Sequence, residues 1–387
     1  MVIRADFPPR HDMDWRNPMN AIHSETTARH IEPRCLATTI GSMPHTDVAQ
    51  ATELMVAATP EIPSWVQFPK RSVRENMMIQ FTEGMPGLFL RDGKVRMSLA
   101  SDEATAELTE FYRRYLAVVE EGDRNELEGF GLSEDVAAGF HEMMRRIPEW
   151  TSTGRLRMLK GQVTGPFTLG TNLLDTEDRC VYYDEQMHDI VVKLVAMKAL
   201  WQVEKFRTFG LPVIVFLDEP SLLGFGKQTY ITIGKEAVIS DIDAVVSVIH
   251  QAGALAGVHC EENTDWSLLM ETRLDILDFD AYDHLQAMTL YPKELAEFFE
   301  RGGWLGWGIV PTLDRHAAAT ETLETLLDRF ENGLSVFEAR GFDRNLLLRR
   351  ALITPSCGMG GVLDEPLAER VLGLLHELSH VLQDRVD

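Results

Sequence analysis

Long apolar runs, cysteines and basic residues are all scarce in this chain of 387 residues. No run of about 18 or more apolar residues occurs, so the sequence predicts no transmembrane helix. The four cysteines are too few for a disulfide framework, which favours a reducing, cytoplasmic location. The 37 basic residues are outnumbered by 60 acidic ones, giving a net charge of −23. This charge argues against nucleic-acid or membrane partners, since nucleic acids and anionic membranes both attract positive surfaces.

The beginning of the chain is polar and rich in proline. Residues 1–34 contain Pro8, Pro9, Pro18 and Pro33 and lack the apolar core of a secretory signal. We therefore expect a polar N-terminal arm over residues 1–34 and a single domain over residues 35–387.

The remaining sequence alternates short β-rich apolar runs with helical stretches, which is typical of a parallel sheet built from βα units. Helices are expected near residues 47–58, from about residue 71, and over 184–209 and 317–337. A stretch rich in Glu and Arg at about 101–146 has no strand between its helices. The predicted strands are 35–40, 64–68, 157–163, 212–217, 256–260, 276–279, 304–310 and 350–354.

Eight alternating units predict an α/β fold of the closed (β/α)8, or TIM barrel, class, with the helices at 101–146 as an insertion. A doubly wound open sheet is the alternative. Such a sheet normally carries a GxGxxG phosphate-binding turn after its first strand. The turn here reads Thr39-Ile40-Gly41-Ser42-Met43-Pro44, without that pattern.

Unusual short motifs follow the C-terminal ends of the predicted strands, where (β/α)8 enzymes carry their active sites. This one-sidedness predicts an active site at that end of the barrel. The motifs are Ile40-Gly41-Ser42, Gln162-Val163-Thr164-Gly165-Pro166, Asp218-Glu219-Pro220, His259-Cys260-Glu261, Phe279-Asp280 and Pro355-Ser356-Cys357-Gly358.

The residue types at two of these strand ends predict a metal site. Imidazole, thiolate and carboxylate groups all bind zinc, and a barrel would bring Cys357 near His259. Strand alternation places His259 and Glu261 on one face and Cys260 on the other, unless the chain has already bent into a loop. Either Cys260 or Glu261 is therefore the third ligand. Asp280 is a fourth ligand, a hydrogen-bonding partner for His259, or a plain loop residue.

The other motifs predict a pocket for substrate. Asp218 and Glu219 follow an apolar strand, where unpaired charges are costly to bury. They are expected to bind a substrate amine or to act catalytically in proton transfer, with a salt bridge as the alternative. Ser42 either holds a substrate carboxylate or caps the following helix. Gln162 is expected to line the same pocket.

Taken in this order, the motifs resemble the catalytic barrel of cobalamin-independent methionine synthase and the related uroporphyrinogen decarboxylase-like corrinoid methyltransferases. The similarity runs from about residue 35 to the C-terminus. It implies a methyltransferase in which zinc, bound by His259 and Cys357, activates a thiol such as homocysteine. Asp280 falls where the family has a glutamate ligand. The resemblance also implies that the Ile40-Gly41-Ser42 turn and Asp218 contact the amino-acid substrate.

The sequence departs from that family in three places. The family's His-x-Cys pair reads His259-Cys260-Glu261, with the cysteine one position early. The extra N-terminal barrel of folate-dependent enzymes is missing, and residues 306–312 lack the histidine that protonates folate there. We therefore expect a methylated corrinoid, either methylcobalamin or a corrinoid protein, as the methyl donor. The early arginines are scattered, which argues against porphyrin decarboxylation.

Two other functions remain open from the sequence. In the first, the chain is a non-catalytic barrel that binds a corrinoid protein, and Glu261 marks a metal site that has been lost. Alternatively, it is a zinc-dependent transferase that adds a thiol to a non-methyl electrophile.

Overall fold

The computed structural model describes residues 31–91, 94–227, 230–261 and 264–386. The arm predicted for residues 1–34 lies almost entirely outside these ranges. Within them, no helix combines the length and apolar character needed to span a bilayer.

A parallel sheet of six strands forms the centre of the structure, and each strand pairs with the next one along the chain. A short antiparallel hairpin, β1 (Leu88–Arg91) and β2 (Lys94–Met97), precedes it. All six strands lie within two residues of their predicted bounds, so these predictions are confirmed. The strands are β3 (Leu159–Thr164), β4 (Val213–Asp218), β5 (Leu255–Cys260), β6 (Ile276–Phe279), β7 (Trp304–Val310) and β8 (Ala351–Pro355).

The segments 35–40 and 64–68, which the sequence predicts as strands, do not form regular strands. They lie between the two edge strands of this sheet, β8 and β3, and are connected to them and to each other by isolated β-bridges. Cys35, with a φ of +62°, and Gly41, with a φ of +128°, have backbone conformations that do not fit a strand at the two ends of the first segment, and Pro63 has no N–H to donate just before the second. The structure is therefore a mixed α/β fold with a curled parallel sheet. The bridges are Ala37 with Ile353 of β8, Ser42 with Gln67, and Ser64 with Lys160 of β3.

Helices cover one face of the sheet. α7 packs on β3 and β4, α8 on β5, α13 on β7, and α15 on β7 and β8. The described helices are α1 (Val48–Ala58), α2 (Met77–Gln80), α3 (Asp102–Val119), α4 (Arg124–Leu127), α5 (Ala138–Ser152), α6 (Pro166–Asn172), α7 (Glu185–Arg207), α8 (Lys235–Gln251), α9 (Trp266–Glu271), α10 (Leu285–Met288), α11 (Pro292–Glu300), α12 (Arg315–Thr320), α13 (Leu323–Glu338), α14 (Arg344–Arg349) and α15 (Glu365–Gln383).

Most helix predictions agree with the structure, but two differ. The helix predicted over 317–337 is divided into α12 and α13, because Thr322 and Thr325 form a reciprocal capping box that starts a new helix. The helix expected from about residue 71 is a short 3-10 turn, Val73–Glu75, followed by α2. The stretch at 101–146 is helical, with its last helix, α5, extending to Ser152.

The face of the sheet opposite the helices carries an apolar layer with a polar layer beside it. Because strand side chains alternate, residues two positions apart lie on the same face, and here a polar residue comes two positions after an apolar one. Asp218 follows Phe216, Asp278 follows Ile276, and Thr354 follows Leu352. The apolar layer consists of Leu36, Ile62, Met158, Ile214, Phe216, Leu255, Ile276, Trp304 and Leu352.

Candidate metal centre

Three predicted site residues meet at the C-terminal ends of two strands. His259 is the second-to-last residue of β5, Glu261 follows that strand, and Cys357 comes shortly after β8. One ligand atom from each residue lies within 4.8 Å of the other two. Cys357 Sγ and the Glu261 carboxylate are in direct contact, although 96 residues separate them in sequence. An imidazole, a carboxylate and a thiol are thus placed to share one cation.

A buried carboxylate fixes the orientation of the His259 ring. His259 Nδ1 lies 2.7 Å from Asp278 Oδ1, and the two residues are paired across β5 and β6. The other carboxylate oxygen, Oδ2, accepts the Thr354 hydroxyl at 2.7 Å. In the neutral ring, with Nδ1–H donated to the carboxylate, Nε2 has a free electron pair, and this buried atom has no hydrogen-bond partner within the described ranges. Carboxylate–histidine pairs of this kind are typical of metal sites.

Sequence reasoning missed Asp278 and considered Asp280 in its place. Asp280 Oδ1 instead accepts the backbone N–H groups of Tyr282 and Asp283 at 2.8 and 2.9 Å, so it shapes the turn after β6. Burial raises the pKa of Asp280 to about 6. The structure does not bring it to the cluster. A carboxylate inside an otherwise apolar strand is the signal that could have identified Asp278.

Cys260 faces the opposite side of β5. It is fully buried in the hydrophobic core that contains the helix-facing side chains, and it pairs with Phe279 of β6. Regular strand pairing therefore continues through Cys260, which places His259 and Glu261 on one face. Within the described ranges, Cys260 is not part of the cation-binding group.

The cluster is short of positive charge. Burial, followed by the nearby Glu261 charge, raises the pKa of the Cys357 thiol well above its ordinary value. Burial opposes protonation of His259, but the Asp278 hydrogen bond and the charges of Asp278, Asp218 and Glu261 together raise its pKa. A bound cation would compensate these negative charges and hold Cys357 as a thiolate.

Asp218 lies next to the cluster with one carboxylate oxygen unused. Its Oδ1 is buried and makes no hydrogen bond to the described part of the chain. Burial raises the pKa of Asp218 to about 6, with the positive charges of His259 and Lys160 opposing the change.

Lys160 is a buried cation that the sequence reasoning missed. Its Nζ lies 4.2 Å from the centre of the Phe216 ring and donates to the Ile40 carbonyl at 3.4 Å. Burial lowers the pKa of Lys160 to about 8, while the charges of Asp218 and Asp278 oppose that shift. The strand that contains Lys160 also carries Gln162 and Thr164, so its sequence gives no clear signal that the lysine is buried.

Glu219, which the sequence predicts at the active site, is not part of the cluster of His259, Glu261 and Cys357. Its two carboxylate oxygens accept the backbone N–H groups of Phe167 and Thr168 at 3.0 and 2.7 Å. These groups begin α6, where N–H donors lack partners within the helix. Burial raises the pKa of Glu219 to about 7. Glu219 therefore stabilises the start of α6.

Ser42 packs against the loop that follows Cys357. Its Oγ accepts the Gly360 N–H at 3.3 Å, and its carbonyl accepts the Met359 N–H at 2.9 Å. The alternative in which Ser42 caps the following helix is wrong, because Asp47 accepts the Gln50 N–H and caps α1.

Removal of the Asp278 charge should weaken the binding of the zinc ion predicted from the sequence. We expect Asp278→Asn to lower zinc affinity about 10- to 100-fold, because the ring of His259 loses its carboxylate partner. Competition with a chromophoric chelator measures this change. Asp280→Asn is the matched control and should retain the wild-type affinity. Equal affinities in all three proteins would contradict the role assigned to Asp278.

Comparisons with known proteins do not identify a family. No family model and no curated protein match this chain. Among solved structures, one that resembles it is from work on the tandem GH20 catalytic modules of the pneumococcal exo-β-D-N-acetylglucosaminidase StrH, with a TM-score of 0.42, 9% identity, and coverage of 92% of this chain and 86% of that chain. A second, of the pneumococcal virulence factor StrH, has a TM-score of 0.44, 9% identity, and coverage of 92% and 84%. At this level of similarity, neither structure informs the function.

Proposed function

We propose that this chain is a zinc-dependent methyltransferase that transfers a methyl group from a methylated corrinoid to a thiol such as homocysteine. The observation that carries the proposal is the convergence of His259, Glu261 and Cys357, whose ligand atoms lie within 4.8 Å of one another. The resemblance of the strand-end motifs to cobalamin-independent methionine synthase and to the corrinoid methyltransferases supplies the reaction class.

The fold that goes with this function is a closed (β/α)8 barrel. The bridges from Ala37 to Ile353 and from Ser64 to Lys160 support closure, because they connect both edges of the six-stranded sheet to the two extended segments. The apolar layer also includes Leu36 of the first segment, Ile62 just before the second, Met158 just before β3, and residues of the other five strands. Closure would place the ends of β5 and β8 around one mouth.

Zinc suits this donor set. Nitrogen, oxygen and sulfur ligands together favour zinc over the harder cations magnesium and calcium, which prefer oxygen. His259 Nε2, the Glu261 carboxylate and Cys357 Sγ would hold the ion, and three protein ligands leave a fourth position for substrate. Bound zinc supplies the positive charge that keeps the acceptor sulfur deprotonated near neutral pH.

The remaining residues bind and orient the acceptor. Asp218 Oδ1 is a buried acceptor without a hydrogen bond in the described ranges, and it suits a substrate ammonium group. Ser42 Oγ accepts the Gly360 N–H, which leaves its own hydrogen to donate to a substrate carboxylate. In the transfer, the acceptor thiol releases its proton to solvent, and its sulfur forms a bond to the methyl carbon. The methyl carbon leaves its donor, and the electrons of the broken bond stay with the donor.

Two alternatives keep the fold but change the function. A non-catalytic barrel that binds a corrinoid protein would have no use for a zinc ion. A zinc-dependent thiol transferase would bind zinc but use a non-methyl electrophile.

Metal analysis followed by a methyl-transfer assay separates these functions. We expect about one zinc per freshly purified chain and methylation of homocysteine with methylcobalamin as donor. Absence of zinc would favour the binding protein. Zinc without methyl transfer, together with thiol alkylation by another electrophile, would favour the second alternative.

A further inference from the structure

Three buried glutamine side chains are joined end to end between the helical insertion and the inner face of the sheet. Gln80 donates from Nε2 to the carbonyl of Val136, which lies just before α5. Gln80 Oε1 accepts from Gln67 Nε2 at 2.7 Å, and Gln67 Oε1 accepts from Gln162 Nε2 at 3.3 Å. In this relay, the amide N–H groups point towards the insertion and the amide oxygens point towards the sheet.

Backbone carbonyls fix the direction of the relay. The Val136 carbonyl can only accept, so Gln80 must present its Nε2 to it. At the other end, Gln162 Nε2 also donates to the Trp65 carbonyl at 2.9 Å. Exchanging the oxygen and nitrogen of Gln162 would break both of its donated hydrogen bonds. Gln162 Oε1 is therefore held as an acceptor, and it is buried without a partner in the described part of the chain.

Gly41 provides the space for this junction. A Cβ at Gly41 would lie 2.4 Å from Gln162 Nε2 and 3.2 Å from Gln67 Oε1. Its φ of +128° also disfavours any other residue. The glycine of the Ile40-Gly41-Ser42 turn thus allows the two amides to approach.

Gln162 and Asp218 present unused acceptors on the same face of neighbouring strands. Gln162 pairs with Phe216, which belongs to the inner apolar layer, and Asp218 lies two residues further along β4. Among the described residues, Asp218 Oδ1 is likewise a buried acceptor that has no hydrogen-bond partner. Buried acceptors that lack partners are costly, so a ligand that donates hydrogen bonds to both would be strongly preferred.

We propose that Gln162 is a specificity-determining residue whose Oε1 accepts a hydrogen bond from an amine on the thiol substrate, beside Asp218. Gln67 and Gln80 are positioning residues that hold this oxygen towards the substrate. This inference rests on the proposed function and narrows its acceptor to an amino thiol. A thiol without an amine leaves Gln162 Oε1 unpaired and binds less tightly.

Isothermal titration calorimetry of the zinc-loaded chain tests this inference without requiring turnover. The probes are L-homocysteine and 4-mercaptobutanoate, which has the same chain without the amine. We expect the wild type to bind homocysteine at least about tenfold more tightly than 4-mercaptobutanoate. Gln162→Leu should lose about 10- to 100-fold in homocysteine affinity, with 4-mercaptobutanoate affinity unchanged. Gln80→Met keeps the substrate contact but removes the hydrogen bonds that orient Gln67. It should lower the affinity for homocysteine about two- to tenfold and leave the affinity for 4-mercaptobutanoate unchanged.

The outcomes distinguish the inference from the function on which it rests. If either variant loses the same factor in affinity for both thiols, the replaced glutamine has a merely structural role and the inference is overturned. Equal binding of both thiols by the wild type would also overturn it, while leaving zinc-dependent thiol binding intact. Binding of neither thiol by the wild type would overturn the proposed function as well. If Gln162→Leu does not fold, Gln80→Met carries the test.

Discussion

Replacement of Cys357 with alanine is expected to lower the zinc content from about one ion per chain to nearly none. The same change should abolish thiol alkylation. Cys357 supplies the one sulfur of the cluster, and the remaining His259 and Glu261 would form an incomplete site in which Glu261 loses its buried neighbour. Zinc analysis by mass spectrometry and a single-turnover alkylation assay measure the two effects.

Two other cysteines provide matched controls for this variant. Cys180 is half-buried and lies before α7, and Cys180→Ala should retain both zinc and activity. Cys260→Ala should retain zinc but unfold more easily, because it removes a core side chain. Loss of zinc in Cys260→Ala with full zinc in Cys357→Ala would contradict the ligand set.

Replacement of Asp218 with asparagine is expected to lower kcat/KM for homocysteine by about 100-fold without changing the zinc content. Asparagine keeps the shape of the side chain but removes the charge that we propose to pair with a substrate ammonium. Loss of a buried charged hydrogen bond costs about 2–5 kcal/mol, which corresponds to a factor of about 30 to several thousand, and the expected 100-fold loss lies within that range. Steady-state kinetics and metal analysis of the same preparation separate substrate binding from metal binding.

Asp280→Asn controls for the loss of a buried carboxylate at the same strand ends. Its Oδ1 can still accept the Tyr282 and Asp283 N–H groups, so the turn should be preserved. This variant should keep wild-type kinetics. A similar loss in both variants, or a loss of zinc in Asp218→Asn, would show that Asp218 does not act as a substrate contact.

The position of the site could be predicted from the sequence because apolar strands ended in unusual polar motifs. His259 and Glu261 follow from strand alternation once β5 is recognised, and the structure places Cys260 on the opposite face. The proximity of Cys357 could not be derived from spacing alone. It depends on how the six strands curl, which brings the end of β8 close to the end of β5.

The residues that support the site were harder to predict. Asp278 and Lys160 lie inside fully buried strands, and the sequence does not reveal which charged side chains face a common centre. Glu219 was assigned to the site because it follows Asp218, but its side chain caps α6 instead. The glutamine relay joins residues far apart in sequence, and no local pattern indicates that Gln80 and Gln162 are connected.

The proposed function requires that His259, Glu261 and Cys357 bind one zinc ion with a position left for a thiol. Zinc K-edge X-ray absorption of the zinc-loaded chain tests this claim most directly. We expect one sulfur at about 2.3 Å, with nitrogen and oxygen ligands at about 2.0–2.2 Å. Addition of homocysteine should raise the sulfur count from one to two. A spectrum without sulfur, or with two sulfurs before the thiol is added, would contradict the account.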